Sequence, residues 1–539
     1  MSSSPDAIVV GSGPNGLVAA NQLADAGWDV LVLEAESDAG GAVRSGEIVE
    51  PGFVSDRFSA FYPLARASPV IRELELEQHG LEWCRSPNAV AHPTRDGSCA
   101  AISRDLEETV ASVERFAAGD GERWRRLHGL WEEIGDRALA ALFTPFPPLR
   151  PVAGLLRTLG LSDMVRLARF ATLDVRRLGE ENFAGAGGPR LLAGNALHAD
   201  LSPETPPSGV YGWVLCGLGQ EYGFPVPKGG SGALSGSMIS RLSSIGGRVR
   251  CDTPVARIET ARGRAAGVEL ASGERIPARR AVIADVGAPQ LYQRLLDPAS
   301  VPSGVHHDLE RFEYGNSTFK VDWSLDAPIP WSAEAARSAG TVHLGEGVDG
   351  LSRHSGELAR NLLPAEPYVV LGQYAHFDPS RMPAGREVVW AYTHLPQTVD
   401  GDAAGELDDG LEGDGAERFA DRIEAQIEAV APGFRELIRR RVISTPAGLQ
   451  EANANLVGGA INGGTSHLNQ QIIFRPTAGL GRAETPIRGL YLGSASAHPG
   501  GGVHGACGAN AARAARSRTG VLAAPLQRAV SGRGTKRAL

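Results

Sequence analysis

The chain has 539 residues, of which 42% are hydrophobic and 21% are charged, so it can fill more than one hydrophobic core. Its 53 basic and 62 acidic side chains give a formal net charge of −9, and this acidity argues against a nucleic-acid-binding protein. The five cysteines include no Cys-x-x-Cys pair, so a disulfide framework and a zinc site both lack support, and we predict no metal. We expect a cytoplasmic protein, because the first residues resemble no secretory signal and no apolar run is long enough to span a membrane.

The amino-terminal segment has the pattern of a buried strand, a glycine-rich turn and a helix. Ala7 to Val10 is an apolar run typical of a parallel strand, and residues 17–26 have helical composition. Between them lies Gly-Ser-Gly-Pro-Asn-Gly. Its first glycine permits a tight turn, its second lets a pyrophosphate approach the backbone, and its third lets helix and strand pack. The start of the helix offers N–H groups to phosphates. The predicted dinucleotide-binding residues in this turn are Gly11, Gly13, Pro14, Asn15 and Gly16.

A second apolar run, Val30 to Leu33, ends at Glu34, which lies 18 positions after Gly16. A carboxylate at that place can accept hydrogen bonds from ribose hydroxyls, so we predict that Glu34, with Ala35 beside it, belongs to the dinucleotide site. The pattern up to this point fits either NAD or FAD. A second glycine turn follows at residues 40–44, and its alternative interpretation is an ordinary surface turn.

The middle of the chain contains one unusual segment. Residues 153–178 form a basic, amphipathic stretch after a proline-rich turn. Such a helix can lie on a membrane surface, but we favour a helical cap over a substrate cavity. Short β runs follow between residues 249 and 286, and one of them includes Val255. Lys320 opens the apparent strand 321–325, and residues 521–539 are predicted to be a flexible basic tail.

The last part of the chain holds a second glycine-rich helix entry. An apparent final strand leads into a small-residue turn over residues 489–495. The run from His498 to Gly505 then precedes an alanine-rich helix, and its N–H groups can face negative charge on a reduced flavin. Histidine titrates near neutral pH, so His498 and His504 are candidate proton acceptors, although a histidine beside a glycine turn is more often structural. Weaker cavity candidates are Tyr211, Trp213, Gln470 and Arg475.

Together these blocks resemble the phytoene-desaturase-like, carotenoid-desaturase-related branch of the FAD-dependent amine oxidase superfamily. The resemblance runs over nearly the whole chain and includes residues 183–210 and 462–476 as well as the glycine blocks. It implies an α/β fold in which a Rossmann-type FAD-binding domain, like that of glutathione reductase, interleaves with a mixed-sheet substrate domain under a helical cap. The implied FAD-binding domain comprises residues 1–80, 225–288 and 477–520, and the substrate-binding domain comprises residues 81–224 and 289–476.

The resemblance also assigns roles to single residues. The double glycine lets the backbone pass close to FAD, Arg44 lies near its phosphates, and Val255 lies against the adenine ring. Lys320 is similar to a lysine that holds a water beside the reactive flavin nitrogen in amine oxidases, and its alternative is an ordinary surface lysine. Many relatives have aspartate at the position of Ser494, so one cofactor hydrogen bond is in question. The implied cofactor residues beyond the first turn are Glu34, Ala35, Gly40, Gly41, Arg44, Val255, Gly493, Ser494, Gly501, Gly502 and Val503.

The activity that the resemblance implies is a two-electron oxidation, in which a substrate C–H bond gives hydride to FAD and the adjacent atom loses a proton. We expect desaturation of C–C bonds in an apolar or natural-product small molecule, with oxygen or a quinone as electron acceptor. An amine oxidase, which forms an imine, is the first alternative. A non-catalytic FAD-binding interaction protein is the second, and the basic stretch leaves peripheral membrane contact open.

Overall fold

The computed structural model describes residues 4–517, in which short strands alternate with helices. The strands are β1 (Ala7–Val10), β2 (Val30–Leu33), β3 (Ser45–Gly46), β4 (Ser55–Asp56), β5 (Trp83–Cys84), β6 (Asn88–Pro93), β7 (Cys99–Ser103), β8 (Val226–Pro227), β9 (Arg248–Arg250), β10 (Val255–Ala261), β11 (Arg264–Leu270), β12 (Arg275–Pro277), β13 (Ala281–Ala284), β14 (Ser317–Leu325), β15 (Ala339–Leu344), β16 (Leu362–Leu363), β17 (Val369–Gln373), β18 (Glu387–Leu395), β19 (Gly401–Asp402), β20 (Ile438–Ser444) and β21 (Leu490–Leu492).

The helices vary from one turn to more than six turns in length. They are α1 (Pro14–Asp25), α2 (Pro63–Ala67), α3 (Pro69–Arg72), α4 (Leu106–Glu114), α5 (Asp120–Phe143), α6 (Leu149–Phe170), α7 (Val175–Asn182), α8 (Gly187–His198), α9 (Ser208–Tyr222), α10 (Gly232–Ser244), α11 (Ala288–Gln290), α12 (Ser303–Leu309), α13 (Glu334–Arg337), α14 (Gly347–Ala359), α15 (Gly415–Val430), α16 (Pro446–Ala452) and α17 (Ala506–Ser517). Among residues 4–517, no helix combines the length and apolarity that a membrane crossing requires. The predicted tail, residues 521–539, lies outside the described residues.

A five-stranded parallel sheet, in the order β21-β13-β1-β2-β9, holds both ends of the chain. Side chains alternate across β1: Ala7 and Val9 share a core with α1 and α17, whereas Ile8 and Val10 share one with the antiparallel β10–β12 sheet. Because both faces are covered at the centre of the sheet, β1, β2 and β13 are continuous apolar runs, whereas the edge strand β9 is Arg-Val-Arg. All five strands come from the segments expected to form the FAD-binding domain, but the domain bounds stay a prediction.

A seven-stranded mixed sheet, in the order β20-β14-β18-β17-β15-β6-β7, forms the second core of the molecule. The neighbouring strands β17 and β18 again alternate: Val370 and Tyr392 face the core beneath α5–α9, and Leu371 and Ala391 face the core beneath α15. The sheet therefore lies between two layers of helices. The predicted α/β class, with a parallel sheet and a mixed sheet under helices, is confirmed.

The basic stretch near residue 153 lies in the helical layer, mostly in α6. This element contains two helices that meet at a kink, where Gly160 has φ = +73°. Leu155 is the one fully buried residue of α6. Four more apolar side chains pack partly buried against the same core, and five large apolar side chains are exposed, namely Leu149, Val152, Leu156, Leu161 and Val165. A helix that covers a cavity normally buries an apolar stripe. Helices α5–α9 cover one face of the mixed sheet, and α6 is the most exposed of them, whereas a substrate cavity beneath α6 stays a prediction.

Helices α1 and α17 pack against each other, and their backbones come closest at a glycine of α17. A Cβ atom at Gly508 of α17 would lie 1.8 Å from the Asn15 carbonyl oxygen, a separation that no side chain can adopt. Gly505 meets Val18 of α1 in the same way, at 2.8 Å from its Cγ2. The amino-terminal and carboxy-terminal glycine blocks are therefore neighbours in space.

The contact at Gly508 predicts different effects of alanine at two helical glycines, Gly508 and Gly236. Gly508→Ala should lower the free energy of unfolding by about 2 kcal/mol, because the added methyl forces α17 away from α1. Gly236→Ala is the matched control: Gly236 lies inside α10, no atom lies within 4 Å of its would-be Cβ, and alanine is the better helix former. Urea unfolding measures both variants. Equal stability of the two variants would contradict the packing described here.

Candidate cofactor and active site

The turn between β1 and α1 has the geometry of a phosphate-binding loop. Gly11 has φ = +96°, and a Cβ at Gly16 would lie 2.4 Å from the Gly11 carbonyl oxygen. Pro14 is the first residue of α1, and the N-cap residue, Gly13, has no side chain with which to cap the helix. The Asn15 side-chain oxygen is buried and has no hydrogen-bond partner among the described residues. The tight turn and the unpaired buried oxygen are features that a bound polar group would complete, whereas the N–H of Gly16 in the first turn of α1 already has a side-chain partner, Asp285.

Glu34 lies at the carboxyl end of β2, beside this turn, and is 8% exposed. Its Oε2 accepts hydrogen bonds from the Ser12 N–H at 2.9 Å and the Ser12 hydroxyl at 2.5 Å. Its carbonyl oxygen accepts from the N–H of Thr253, two residues before Val255 at the start of β10. Ala35, which follows Glu34, is exposed. Glu34 thus holds together the first glycine turn, through its carboxylate, and the start of β10, through its carbonyl oxygen.

The double glycine packs directly on the first glycine turn. A Cβ at Gly41 would lie 2.8 Å from Gly13 Cα, and the left-handed φ of +57° at Gly41 also favours glycine. Arg44 donates from Nε to the Gly41 carbonyl oxygen and from Nη2 to the Ala452 carbonyl oxygen, both at 2.9 Å. This arginine is therefore fixed at the edge of the same loop, within reach of an anionic group bound there.

The carboxy-terminal block closes the other end of the site. Gly493 donates to the carbonyl oxygen of Ala284 at the end of β13, and buried Ser494 accepts from the Ser496 N–H at 3.2 Å. A Cβ at Gly501 would lie 2.6 Å from Asn462 Oδ1, and one at Gly502 would lie 2.8 Å from Leu64 Cδ1. Val503 packs beside the apolar core of α1. The structure therefore brings three glycine-rich segments to one edge of the parallel sheet: the first glycine turn, the double glycine and the carboxy-terminal block.

Asp285 is a site residue that the sequence interpretation missed. It follows β13 and is 7% exposed, and its Oδ2 accepts a hydrogen bond from the Gly16 N–H at 2.8 Å. A Cβ at Gly13 would lie 2.7 Å from the same oxygen. Burial raises the pKa of Asp285 to about 7, although the Gly16 hydrogen bond opposes this and Glu34 adds to it. The missed signal is a single acidic residue that ends an apolar strand, as Glu34 does.

Lys320 lies in β14 of the seven-stranded mixed sheet. It is not a surface lysine, since it is 3% exposed. Its ammonium group forms a buried ion pair with Asp322, two residues along β14. Burial raises the pKa of Asp322, and Lys320 opposes that shift. The surface alternative is therefore wrong, and the role of Lys320 beside the flavin stays a prediction.

The two candidate histidines differ in what their ring nitrogens do. His504 accepts the N–H of Ala506 with Nδ1 at 3.0 Å, at the start of α17, and burial lowers its pKa to about 4. His498 uses Nε2 with the Thr144 carbonyl oxygen at 3.1 Å, whereas its Nδ1 is buried without a partner among residues 4–517. Burial also lowers the pKa of His498. Both rings are neutral, and His498 retains a nitrogen that can accept a proton.

The comparison with protein families decides the identity of this site. The family described as "Flavin containing amine oxidoreductase" matches residues 15–516. The chain belongs to this family. The amine oxidase superfamily that the sequence resembles is thereby confirmed, as are FAD and an FAD-dependent oxidoreductase.

Individual relatives cover nearly the whole chain. A protein of Rattus norvegicus named "Pyridine nucleotide-disulfide oxidoreductase domain-containing protein 2" is 29% identical and aligns over 94% of this chain and 92% of its own length. The neurosporene-forming phytoene desaturase of Rhodobacter capsulatus is 24% identical, over 92% and 91% of the two chains. A solved variant of putrescine oxidase shares the fold, with a TM-score of 0.59 at 19% identity over 95% and 99% of the two chains.

The residues present fit FAD. The glycine turn and the fixed Arg44 suit a pyrophosphate, and Glu34 suits a ribose. The second glycine block lies at the start of α17, where N–H groups can face the flavin ring. The assignment of single residues to parts of FAD stays a prediction.

Asp285 gives this site a pH dependence that unfolding can measure. Its pKa of about 7 lies above that of an unfolded aspartate, about 3.9, so the folded state keeps a proton that the unfolded state has lost. The free energy of unfolding of the FAD-free protein should therefore fall, relative to Asp285→Asn, as pH rises from about 4 through about 7.

The expected difference reaches on the order of 4 kcal/mol at about pH 8, measured by urea unfolding at several pH values. Asp38→Asn, which changes an exposed carboxyl close to the same turn, is the control and should follow the wild-type curve. Parallel curves for wild type and Asp285→Asn would show that the buried carboxyl does not titrate in this range.

Proposed function

We propose that this protein is an FAD-dependent desaturase, which removes two hydrogens from adjacent carbons of an apolar or natural-product molecule. The observation that carries this proposal is the alignment with phytoene desaturases over 92% of the chain, at 24–25% identity. The match to solved amine oxidases rests on identities below 20% and concerns the fold alone. Desaturation of a C–C bond is therefore the leading activity, ahead of C–N oxidation.

The interior between the mixed sheet and the helices suits an apolar substrate. Four aromatic rings adjoin there: Phe61 lies 5.7 Å from Tyr374 and 5.9 Å from Trp390, and Trp390 lies 6.0 Å from Tyr392 between ring centroids. Phe61 is three residues before Leu64, which meets the would-be Cβ of Gly502. This aromatic cluster is thus linked by a few residues of chain to the glycine turn at the start of α17, and it makes the interior on this side of the site predominantly apolar.

Bound FAD would supply the hydride acceptor for one substrate carbon, and oxygen or a quinone would be the final acceptor of the two electrons. The neighbouring carbon must lose a proton as the C=C bond forms. Among the candidate residues, His498 is best placed to take that proton, because its Nε2 is held by Thr144 and its Nδ1 lone pair is unused.

An amine oxidase remains the second candidate, because the family model and the fold neighbours include amine oxidases. An interaction protein that binds FAD without catalysis is the third. One experiment separates them: the yellow holoprotein is mixed anaerobically with polyenes, polyamines and amino acids, and flavin bleaching is followed together with substrate loss by mass spectrometry.

The desaturase proposal expects bleaching with a polyene or other apolar substrate and a product lighter by two hydrogens. Flavin bleaching with an amine, together with loss of that amine, would overturn it, and absence of bleaching with every class would favour the interaction protein. His498→Gln should slow the reductive half-reaction at least about tenfold if this ring accepts the proton. His467→Gln, an exposed histidine on the same loop region, should leave the rate unchanged.

We also propose that an apolar substrate reaches the site from a lipid surface. Several large apolar side chains of α6 are exposed, among them Leu149 at 72%, Leu161 at 76% and Val165 at 64%. Arg150 and Arg157 lie beside them, are exposed and have no acidic partner among residues 4–517. Exposed apolar side chains with unpaired cations match the surface of an anionic bilayer.

A second exposed apolar segment continues this surface. Ile472, Ile473 and Phe474 are each more than a third exposed. A Cβ at Gly481 would lie 2.5 Å from Ile473 Cα, and the adjacent Arg482 donates to the Phe146 carbonyl oxygen at 3.1 Å, just before α6. The same face is joined to the flavin end, because His498 bonds to Thr144 and Asn510 bonds to Phe143.

Vesicle sedimentation tests the lipid surface. The full chain should bind vesicles that contain phosphatidylglycerol, and binding should fall with added salt. The Leu149→Ser/Leu161→Ser/Val165→Ser variant should bind at least about fivefold less, since it loses the inserted apolar area. Val399→Ser, at an exposed apolar residue elsewhere, is the control. Wild-type protein that ignores anionic vesicles would overturn the proposal, and a dimer that the triple variant abolishes would assign the face to self-association.

A further inference from the structure

Arg475 is an arginine whose side chain is completely buried. Its guanidinium donates to three main-chain carbonyl oxygens: Nε to Ala495 at 2.9 Å, Nη1 to Thr465 at 2.8 Å and Nη2 to Asn462 at 2.6 Å. These bonds use three of the five N–H donors of the guanidinium, one on each nitrogen, and fix its plane. They do not neutralise its charge, because every acceptor is an uncharged carbonyl.

The missing counter-charge distinguishes Arg475 from Arg381, the other arginine that is fully buried among residues 4–517. Arg381 is equally buried, but Asp56 and Asp378 each lie 2.7 Å from it, and these carboxylates raise its pKa. Among residues 4–517 no carboxylate lies within 4.0 Å of Arg475, and burial lowers its pKa to about 10. A buried cation without a partner is costly, so proteins normally pair it with an anion.

The groups that face Arg475 do not supply that anion. They are Tyr211 and Cys507, which are buried with raised pKa values and are therefore neutral, and His498 and His504, which are neutral rings. A Cβ at Gly500 would lie 3.2 Å from both Cζ and Nε of Arg475, so the guanidinium lies directly behind the glycine turn that leads into α17. The unpaired positive charge is thus placed at the candidate flavin end of the site.

We propose that Arg475 is the charge partner of bound FAD, and that it stabilises the negative charge which the flavin ring gains on two-electron reduction. Hydride transfer brings two electrons and one proton to a neutral ring, so the ring acquires one negative charge unless it takes up a second proton. A fixed cation beside the ring stabilises this negative charge as it develops during reduction. The proposal rests on the flavin ring lying at residues 500–503 and is independent of whether the substrate is a polyene or an amine.

The test compares two variants of the holoprotein. Arg475→Gln keeps hydrogen-bond donors but removes the charge, and Arg475→Lys keeps the charge. Arg482→Gln, at a half-exposed arginine seven residues along the same segment, is the matched control. Two properties that require no substrate are measured: the two-electron reduction potential of bound FAD, by equilibration with reference dyes, and the dissociation constant for sulfite, which adds to oxidised flavin and leaves it anionic.

We expect Arg475→Gln to make the potential more negative and to weaken sulfite binding at least about tenfold, while Arg475→Lys and Arg482→Gln stay within about threefold of the wild type for sulfite. A glutamine variant that binds FAD and retains both wild-type values would overturn the proposal.

If the variants lose FAD, a measurement on the wild-type holoprotein tests the role of Arg475 instead. The reduction potential is followed from about pH 8 to a pH at which free reduced flavin takes up its second proton. A buried cation should hold the reduced ring as an anion, so the slope should stay at one proton per two electrons throughout. Uptake of two protons per two electrons at the acidic end would contradict the role of Arg475, whatever the substrate.

Discussion

The structure depends on close approach of backbone to backbone at glycines. α17 can lie against α1 only because Gly508 has no Cβ, and the double-glycine turn can lie on Gly13 only because Gly41 has none. Any other residue at these points would separate the elements by the width of a methyl group or more. The parallel sheet, the two glycine-rich helix starts and the site between them therefore depend on a few positions where side chains are excluded.

The same glycines leave room for charged groups in an interior that would otherwise reject them. Asp285 reaches the start of α1 because Gly13 and Gly16 are bare, and Arg475 reaches the turn before α17 because Gly500 is bare. One buried carboxyl and one buried guanidinium thus lie at two ends of the candidate cofactor site. Both are held by main-chain groups alone, and both have pKa values displaced toward neutrality by burial.

Much of this fold could be predicted from the sequence, because the signals are local. The run of four apolar residues before Gly11 predicts a parallel strand, and the structure has β1 at Ala7–Val10. The carboxylate at Glu34 and the alanine-rich last helix are also where the pattern places them. These features are set by period, turn chemistry and spacing within about forty residues.

The rest depends on contacts between residues far apart in sequence. Asp285 meets Gly16 across 269 positions, and nothing near Asp285 in the sequence indicates that contact. Lys320 was equally compatible with a surface strand, since its partner Asp322 becomes visible as a partner only when β14 is buried in the middle of the mixed sheet. Arg475 could be named as a cavity candidate, but the absence of a carboxylate around it is a property of the folded interior.

The central claim is that glycine turns from both ends of the chain hold one extended FAD. The most direct measurement is a titration of the FAD-free protein with FAD, followed by flavin absorbance and fluorescence, for the wild type and for Gly41→Val, whose side chain would collide with Gly13. The account predicts one FAD per wild-type chain and a dissociation constant raised at least about tenfold in the variant. A wild-type protein that stays colourless, or a variant that binds FAD as tightly, would contradict it.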